Sequence, residues 1–135
     1  MIGILLGVLF VLHGLVHLLY TGQSLRIFEL QPGMYWPDGA LAFSKLLEVS
    51  TIRTLASVLL VLAAFGFVIG GAAVIFKQAW WRPMIVGVAV FSTLIYLLLW
   101  DGGWQSLDNK GFVGILINLA ILAALLVFRW PAFDF

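Results

Sequence analysis

The chain contains no cysteine and few charged residues, and both shortages restrict its chemistry. Without cysteine there is no disulfide, no thiolate metal ligand and no thiol redox reaction. Charged side chains make up 10% of the 135 residues, against about 25% in an ordinary soluble domain. A net charge of +1 provides no field for binding nucleic acid. Hydrophobic residues make up 64%, more than a soluble fold of this size can bury, which indicates an integral membrane protein.

Four apolar runs are long enough for membrane helices, which need about 20 residues. They cover residues 2–20, 52–76, 83–100 and 112–128. Backbone polar groups inside lipid must be paired within the protein, so each run is expected to be a helix. The sequence therefore predicts an all-α membrane protein, a four-transmembrane-helix bundle that forms one integral membrane domain over residues 1–135.

Residues 21–51 form the longest predicted loop. Residues 24–30 favour a strand, Gln31-Pro32-Gly33 favours a turn, and residues 34–36 can return as a second strand, which predicts a short hairpin. Pro37-Asp38-Gly39 can begin a short interfacial helix lying along the membrane surface. An irregular loop packed over the bundle is the alternative to both predictions.

The basic residues predict how the bundle is oriented. Lys77 and Arg82 flank a short connection between two spans, and Arg129 follows the last span. Basic residues close to helix ends are enriched on the cytoplasmic side of a membrane. We therefore expect an integral protein of a bacterial inner membrane with both termini in the cytoplasm.

Each predicted helix has one face of small and polar residues when placed at about 100° per residue. Polar groups in hydrocarbon are costly, so these faces should point into the bundle. Their heights along the helices place them in the half nearer the long loop. We predict that they converge on an outward-facing polar cavity beneath this loop. The candidate ligand-binding residues are His13, His17, Arg53, Ser57, Ser92, Tyr96 and Asn118.

His13 and His17 form the sharpest local motif, because a spacing of four residues places both imidazoles on one helix face. Buried in the membrane, both are expected to be neutral at pH 7. They can hydrogen-bond within the core, bind a ligand or handle a proton, or ligate a metal ion or the central metal of haem or chlorophyll. Any metal site would depend on these two residues, because no carboxylate lies within the predicted spans.

Two further features belong to the second span. Arg53 lies just inside it and can act as an interfacial anchor, pair with Glu29, Glu48 or Asp101, or hold an anionic head group. The run Gly66-Phe67-Val68-Ile69-Gly70 matches G-x-x-x-G. It favours close packing inside the bundle over a dimer face.

The first span contains Leu6-Gly7-Val8-Leu9-Phe10-Val11-Leu12-His13-Gly14, which fits the pattern L-G-x-x-F-x-x-x-G. In this segment, in chain length and in the number of predicted spans, the protein resembles the DoxX-like membrane proteins. The resemblance implies a four-helix bundle and, as for some members of that family, a link to quinone-associated redox systems. It transfers no catalytic residue to this chain.

Two functions are consistent with these features. The first is an accessory or binding protein whose polar cavity takes a lipid- or quinone-like amphiphile. The alternative is a structural subunit of a larger redox or photosynthetic membrane complex, with a histidine ligand to haem or chlorophyll. Membrane lipid is the expected partner in both cases, other membrane subunits in the second, and nucleic acid in neither. The lack of cysteine and of carboxylates within the spans disfavours an enzyme or transporter that acts alone.

Overall fold

The chain folds into helices joined by irregular connections, without β-strands, so the all-α prediction is confirmed. A computed structural model describes residues 1–135. Its α-helices are α1 (Ile2–Ser24), α2 (Val49–Ile75), α3 (Trp81–Leu98) and α4 (Phe112–Leu122). A short 3-10 helix (Leu107–Lys110) precedes α4, and a π-helical turn (Ala123–Val127) continues it.

Three of these helices are long and apolar enough to cross a membrane. They are α1, α2 and α3, with 23, 27 and 18 residues, and they correspond to the first three predicted spans. The predicted fourth span, residues 112–128, forms a shorter apolar helix of 11 residues followed by a five-residue π-helical turn. The helices therefore fit a membrane protein with three candidate spans, and the four-span bundle stays a prediction.

The closest helix contact is between α1 and α2, where two glycines allow the backbones to meet. A Cβ atom added to Gly71 would lie 2.6 Å from the carbonyl oxygen of Gly7 and 3.0 Å from the amide nitrogen of Val11. A Cβ atom at Gly7 would in turn lie 2.7 Å from the carbonyl oxygen of Gly71. Small residues at both positions let the helices approach closely, as is common in membrane bundles.

The G-x-x-x-G run packs inside the bundle, as predicted. A Cβ atom at Gly66 would lie 2.6 Å from a methyl group of Val88, and one at Gly70 would lie 2.5 Å from a methyl group of Ile85. Both neighbours belong to α3. The motif therefore provides the contact between α2 and α3, and a dimer face is not needed to explain it.

The two ends of the bundle are built differently. At one end, the terminal end, Met1, Lys77 and Phe133 line a common cavity. At the other end, the loop end, the Tyr20 hydroxyl donates to the carbonyl oxygen of Asp108 at 2.9 Å. Both chain termini therefore share one end with the α2–α3 connection, and the two longer connections meet at the opposite end.

The predicted hairpin at the loop end is wrong. Gln23 of α1 and Arg26, just beyond α1, form hydrogen bonds with the backbone groups of the loop. The Gln23 amide nitrogen donates to the carbonyl oxygens of Met34 and Trp36, both at 3.2 Å. Its amide oxygen accepts from the Leu30 amide at 2.7 Å. Arg26 also donates to the Trp36 carbonyl oxygen, at 2.9 Å. These groups would otherwise bond between strands, so residues 25–36 form turns instead.

The predicted interfacial helix is also absent, and residues 37–47 form successive turns. A helix beginning at Pro37 would need the Leu41 amide to donate to the Pro37 carbonyl oxygen. The Leu41 amide instead donates to the carbonyl oxygen of Trp100, just beyond α3, at 2.9 Å. This bond joins the two connections of the loop end, and the alternative of an irregular loop packed over the bundle is what the structure contains.

Candidate functional site

Four buried polar side chains from three helices form one hydrogen-bonded cluster, called here the histidine network. It comprises His13 and His17 of α1, Ser92 of α3 and Asn118 of α4. His17, Ser92 and Asn118 are fully buried, and His13 is 7% exposed. Asn118 is the central residue, because its amide oxygen lies 2.8 Å from His13 Nε2 and its amide nitrogen lies 2.9 Å from Ser92 Oγ.

One set of proton positions satisfies this network with both histidines neutral. His17 Nδ1 donates to the backbone oxygen of His13 at 3.0 Å, and His17 Nε2 accepts from the Ser92 hydroxyl at 2.7 Å. The same hydroxyl oxygen accepts from the Asn118 amide nitrogen. His13 Nε2 then donates to the Asn118 amide oxygen, which cannot donate. Each bond has one donor and one acceptor, so the network needs no extra proton.

The other predicted site residues lie in different surroundings. The Tyr96 ring packs against the His17 ring, with centroids 5.6 Å apart. The Ser57 hydroxyl donates to the backbone oxygen of Arg53 at 2.7 Å, which is a bond within its own helix. Arg53 lies at the loop end and contributes to a separate ion cluster. The structure therefore brings His13, His17, Ser92 and Asn118 into direct contact, adds Tyr96 as a neighbour, and places Ser57 and Arg53 outside the network.

Most polar side-chain atoms of the histidine network form hydrogen bonds with other atoms of the same network. None of the five main cavities is lined by its residues, and the polar cavity at the loop end has other walls. Both ring nitrogens of His17 are hydrogen-bonded, so a metal or haem at His17 would have to displace one of these bonds. His13 Nδ1 is different, because it makes no hydrogen bond within the chain.

An apolar groove of ≈ 250 Å³ runs between α1 and α4, on the terminal side of the network. Nine of its ten lining residues are hydrophobic, and they include Phe10 of α1, Ile117 and Ile121 of α4, and Trp130 beyond the π-helical turn. Leu9 lines the groove and is 52% exposed, so the groove opens sideways toward the bilayer. We call this feature the α1–α4 groove.

The α1–α4 groove and the histidine network adjoin. His13 lies three residues after Phe10 and four after Leu9, which places the three side chains on one helix face. Helical side chains lean toward the preceding turn, so the imidazole of His13 covers the level just above these groove residues. On α4, Asn118 lies between Ile117 and Ile121 in the same way. Neither His13 nor Asn118 lines the groove, so the network lies beside the groove on the same two helices.

Arg53 belongs to an ion cluster that fixes the long loop to the helices. Asp38 Oδ1 accepts from Arg26 at 2.9 Å and from Arg53 Nε at 2.8 Å, and Asp38 Oδ2 accepts from Arg53 Nη2 at 2.6 Å. The partner of Arg53 is thus Asp38, and the pairing predicted with Glu29, Glu48 or Asp101 is wrong. The loop positions Asp38 over the start of α2, which sequence spacing does not indicate.

The charges around Asp38 make loop attachment pH-dependent. Burial of the carboxyl raises its pKa, but the hydrogen bond from Arg53 and the positive charges of Arg26 and Arg53 outweigh burial, so the pKa of Asp38 is lower than its ordinary value. A carboxyl whose pKa is lower in the folded state stabilises that state fully above its unfolded pKa, which is about 3.9. This contribution is lost as the pH falls through the folded value.

We expect Asp38→Asn to lower the free energy of unfolding at pH 7 by about 1–3 kcal/mol, because it leaves two guanidinium groups without their carboxylate. The difference from the native chain should shrink as the pH falls from about 5 to about 2. Thermal unfolding in detergent across this range measures both effects. Glu48→Gln is the matched control, because Glu48 is exposed and makes no ion pair. A constant difference at every pH would contradict the proposed role of Asp38.

Sequence reasoning missed the residues that organise the loop end. Gln23 is fully buried and holds three backbone groups of the loop. A glutamine at the end of a long apolar helix is a signal that could have indicated this role, since a buried amide needs partners. Asp38 gave no comparable signal, because its partner Arg53 is 15 residues away, beyond the loop.

Comparison of the chain with protein-family models, with curated proteins and with solved structures finds no match. The resemblance to DoxX-like proteins therefore stays a prediction, and the histidine network and the α1–α4 groove are the features that bear on function.

Proposed function

We propose that this protein is a small integral membrane binding protein that takes a lipid- or quinol-like amphiphile in the α1–α4 groove. In this proposal residues 112–128 complete a four-span bundle, the protein lies in a bacterial inner membrane and the terminal end faces the cytoplasm. The observation that carries the proposal is an apolar groove open to lipid, beside which His13 Nδ1 makes no hydrogen bond within the chain.

The chemistry of His13 restricts the polar group of the ligand. When His13 Nε2 donates to Asn118, neutral imidazole leaves Nδ1 as an acceptor. The matching ligand group is a hydroxyl, as in a reduced quinone or a lipid alcohol. A fully oxidised quinone offers only acceptors, so we expect it to bind less well. The apolar walls of the groove suit an alkyl or isoprenoid chain, with Trp130 at the far end.

The experiment compares an alkyl hydroquinone with its dimethyl ether, using the purified protein in lipid nanodiscs and quenching of tryptophan fluorescence as the readout. The hydroquinone should bind at least about fivefold more tightly, the worth of about one hydrogen bond. Ala124→Phe fills the groove from the π-helical turn and should weaken both ligands by about tenfold or more. Leu126→Phe is the control, because Leu126 is 56% exposed and does not line the groove.

Equal binding of the two ligands would contradict the role of His13. Equal binding to Ala124→Phe and Leu126→Phe would contradict the groove as the site. Thermal unfolding of both variants shows whether a loss of binding comes from the filled groove or from a damaged fold.

A further inference from the structure

A second, polar cavity lies at the loop end, where the two long connections face each other. Its volume is ≈ 360 Å³, and only three of its 11 lining residues are hydrophobic. Gln31 and Tyr35 come from the first connection, and Asp101, Ser106 and Lys110 from the second. This loop-end cavity shares no lining residue with the α1–α4 groove.

Trp36 lines the loop-end cavity, and its indole Nε1 has almost no accessible surface and makes no hydrogen bond. The side chain is 2% exposed and packs on Tyr20, with ring centroids 5.7 Å apart. Buried donors are nearly always paired, and leaving one unpaired destabilises the fold. An acceptor atom from a bound molecule would remove this cost.

The charges of the cavity wall cancel. Lys110 is 9% exposed, and its ammonium group donates to Asp101 Oδ1 at 3.0 Å and lies 3.4 Å from the Gly103 carbonyl oxygen. An ammonium group has three hydrogens, so one donor remains. Asp101 Oδ1 also accepts from the Gly103 amide, whereas Asp101 Oδ2 makes no hydrogen bond. The wall therefore offers free donors and a free acceptor without a net charge.

Tyr35 adds a flat apolar surface at the rim of the cavity. It is 78% exposed although it is a large aromatic residue. The Ser106 hydroxyl and the Gln105 amide also line the cavity and make no side-chain hydrogen bond within the chain. Exposed aromatic surface beside unsatisfied polar groups is typical of a binding site for a small molecule that is both polar and partly apolar.

From this arrangement we infer that the loop-end cavity binds a neutral, hydroxyl-rich molecule, such as a saccharide unit. One hydroxyl oxygen accepts from the ammonium group of Lys110, another accepts from Trp36 Nε1 once a shift of the loop uncovers this atom, and one hydroxyl donates to Asp101 Oδ2. The ring of the sugar lies against Tyr35. An anionic sugar is disfavoured by Asp101 and a cationic sugar by Lys110. The saccharide unit can be a free sugar or the head group of a glycolipid, since the chemistry is the same.

The test uses the full chain in nanodiscs free of glycolipid and of sugar-based detergent, with saturation-transfer NMR and calorimetric titration. The probes are methyl β-glucoside, glucuronate and glucosamine, and a second set of nanodiscs carries a glucosyl diacylglycerol. The neutral probe should bind about fivefold or more tightly than either charged probe. Binding only of the lipid-linked sugar would support the same site with a glycolipid as its natural ligand.

Two variants give the decisive comparison. Trp36→Phe keeps the ring and removes the indole N–H, so it should weaken binding of the neutral sugar about fivefold. Trp104→Phe is the control, because Trp104 is 75% exposed and does not line the cavity. Asp101→Asn removes one charge of the wall and should shift the preference toward glucuronate, which a merely structural role would not produce. Failure of both neutral probes to bind, equal binding of glucuronate to the native chain, or equal effects of the two tryptophan variants would overturn the inference.

Discussion

Replacement of Asn118 by leucine is expected to lower the free energy of unfolding by about 2–4 kcal/mol. Leucine has the same branching at Cγ as asparagine and is larger, so the loss comes from hydrogen bonding and some overpacking and not from a cavity. The change leaves His13 Nε2 without its acceptor and removes one partner of Ser92. Each buried group left unpaired costs about 1–3 kcal/mol, and the bilayer offers no water in compensation. Unfolding in mixed micelles of increasing denaturing detergent measures the change.

Two further variants make the Asn118 prediction specific. Leu116→Ala alters a residue of the same helix that is 66% exposed, and it should cost less. Ser92→Ala combined with Asn118→Leu should cost clearly less than the sum of the two single changes, because both remove members of one network. Additive costs would show that the two side chains act independently and would contradict the network.

Gly71→Leu is expected to have an effect of similar size, of about 3 kcal/mol or more. A Cβ atom at this position meets the backbone oxygen of Gly7 at 2.6 Å, a methyl carbon of Val11 at 2.9 Å and the backbone nitrogen of Val11 at 3.0 Å. Two of these atoms belong to a helix backbone and cannot be moved by rotating a side chain, so α1 and α2 must separate. Overpacking of a tight core costs about 1–3 kcal/mol and occasionally more, and here it also disturbs the helix that carries both histidines.

Gly87→Ala is the matched control for Gly71. Gly87 lies in α3 with no atom within 4 Å of its added Cβ. Alanine should therefore be tolerated there and can stabilise the helix by about 0.5–1 kcal/mol. Thermal unfolding of the two variants in the same detergent tests the pair. A similar melting temperature for both variants would contradict the close contact of α1 and α2.

The convergence of the polar side chains within the helices was predictable from the sequence. His13, His17, Ser92 and Asn118 lie on faces that helical periodicity defines, and the cost of polar groups in lipid directs those faces inward. Helical periodicity does not show which of these side chains form hydrogen bonds with each other. Whether these side chains bond to one another or surround a cavity depends on how closely α1, α3 and α4 approach, which the sequence pattern does not give.

The loop end was less predictable, because its backbone is held by side chains from elsewhere. The segment after α1 has the composition of a hairpin, yet Gln23 and Arg26 take the backbone groups that strand pairing needs. Asp38 likewise finds Arg53 fifteen residues further along the chain. Local propensity describes a segment in isolation, whereas these bonds depend on where α1 ends relative to the loop.

The histidine network also has a consequence for biosynthesis. α1, which carries His13, is made before α4, which carries Asn118 105 residues later. During synthesis α1, α2 and α3 enter the bilayer before the amide that His13 Nε2 requires exists. A nascent chain without α4 thus leaves the His13 imidazole without its partner in hydrocarbon, which is costly. Arrival of α4 removes this cost, so the network forms only after α4 has packed against α1 and α3.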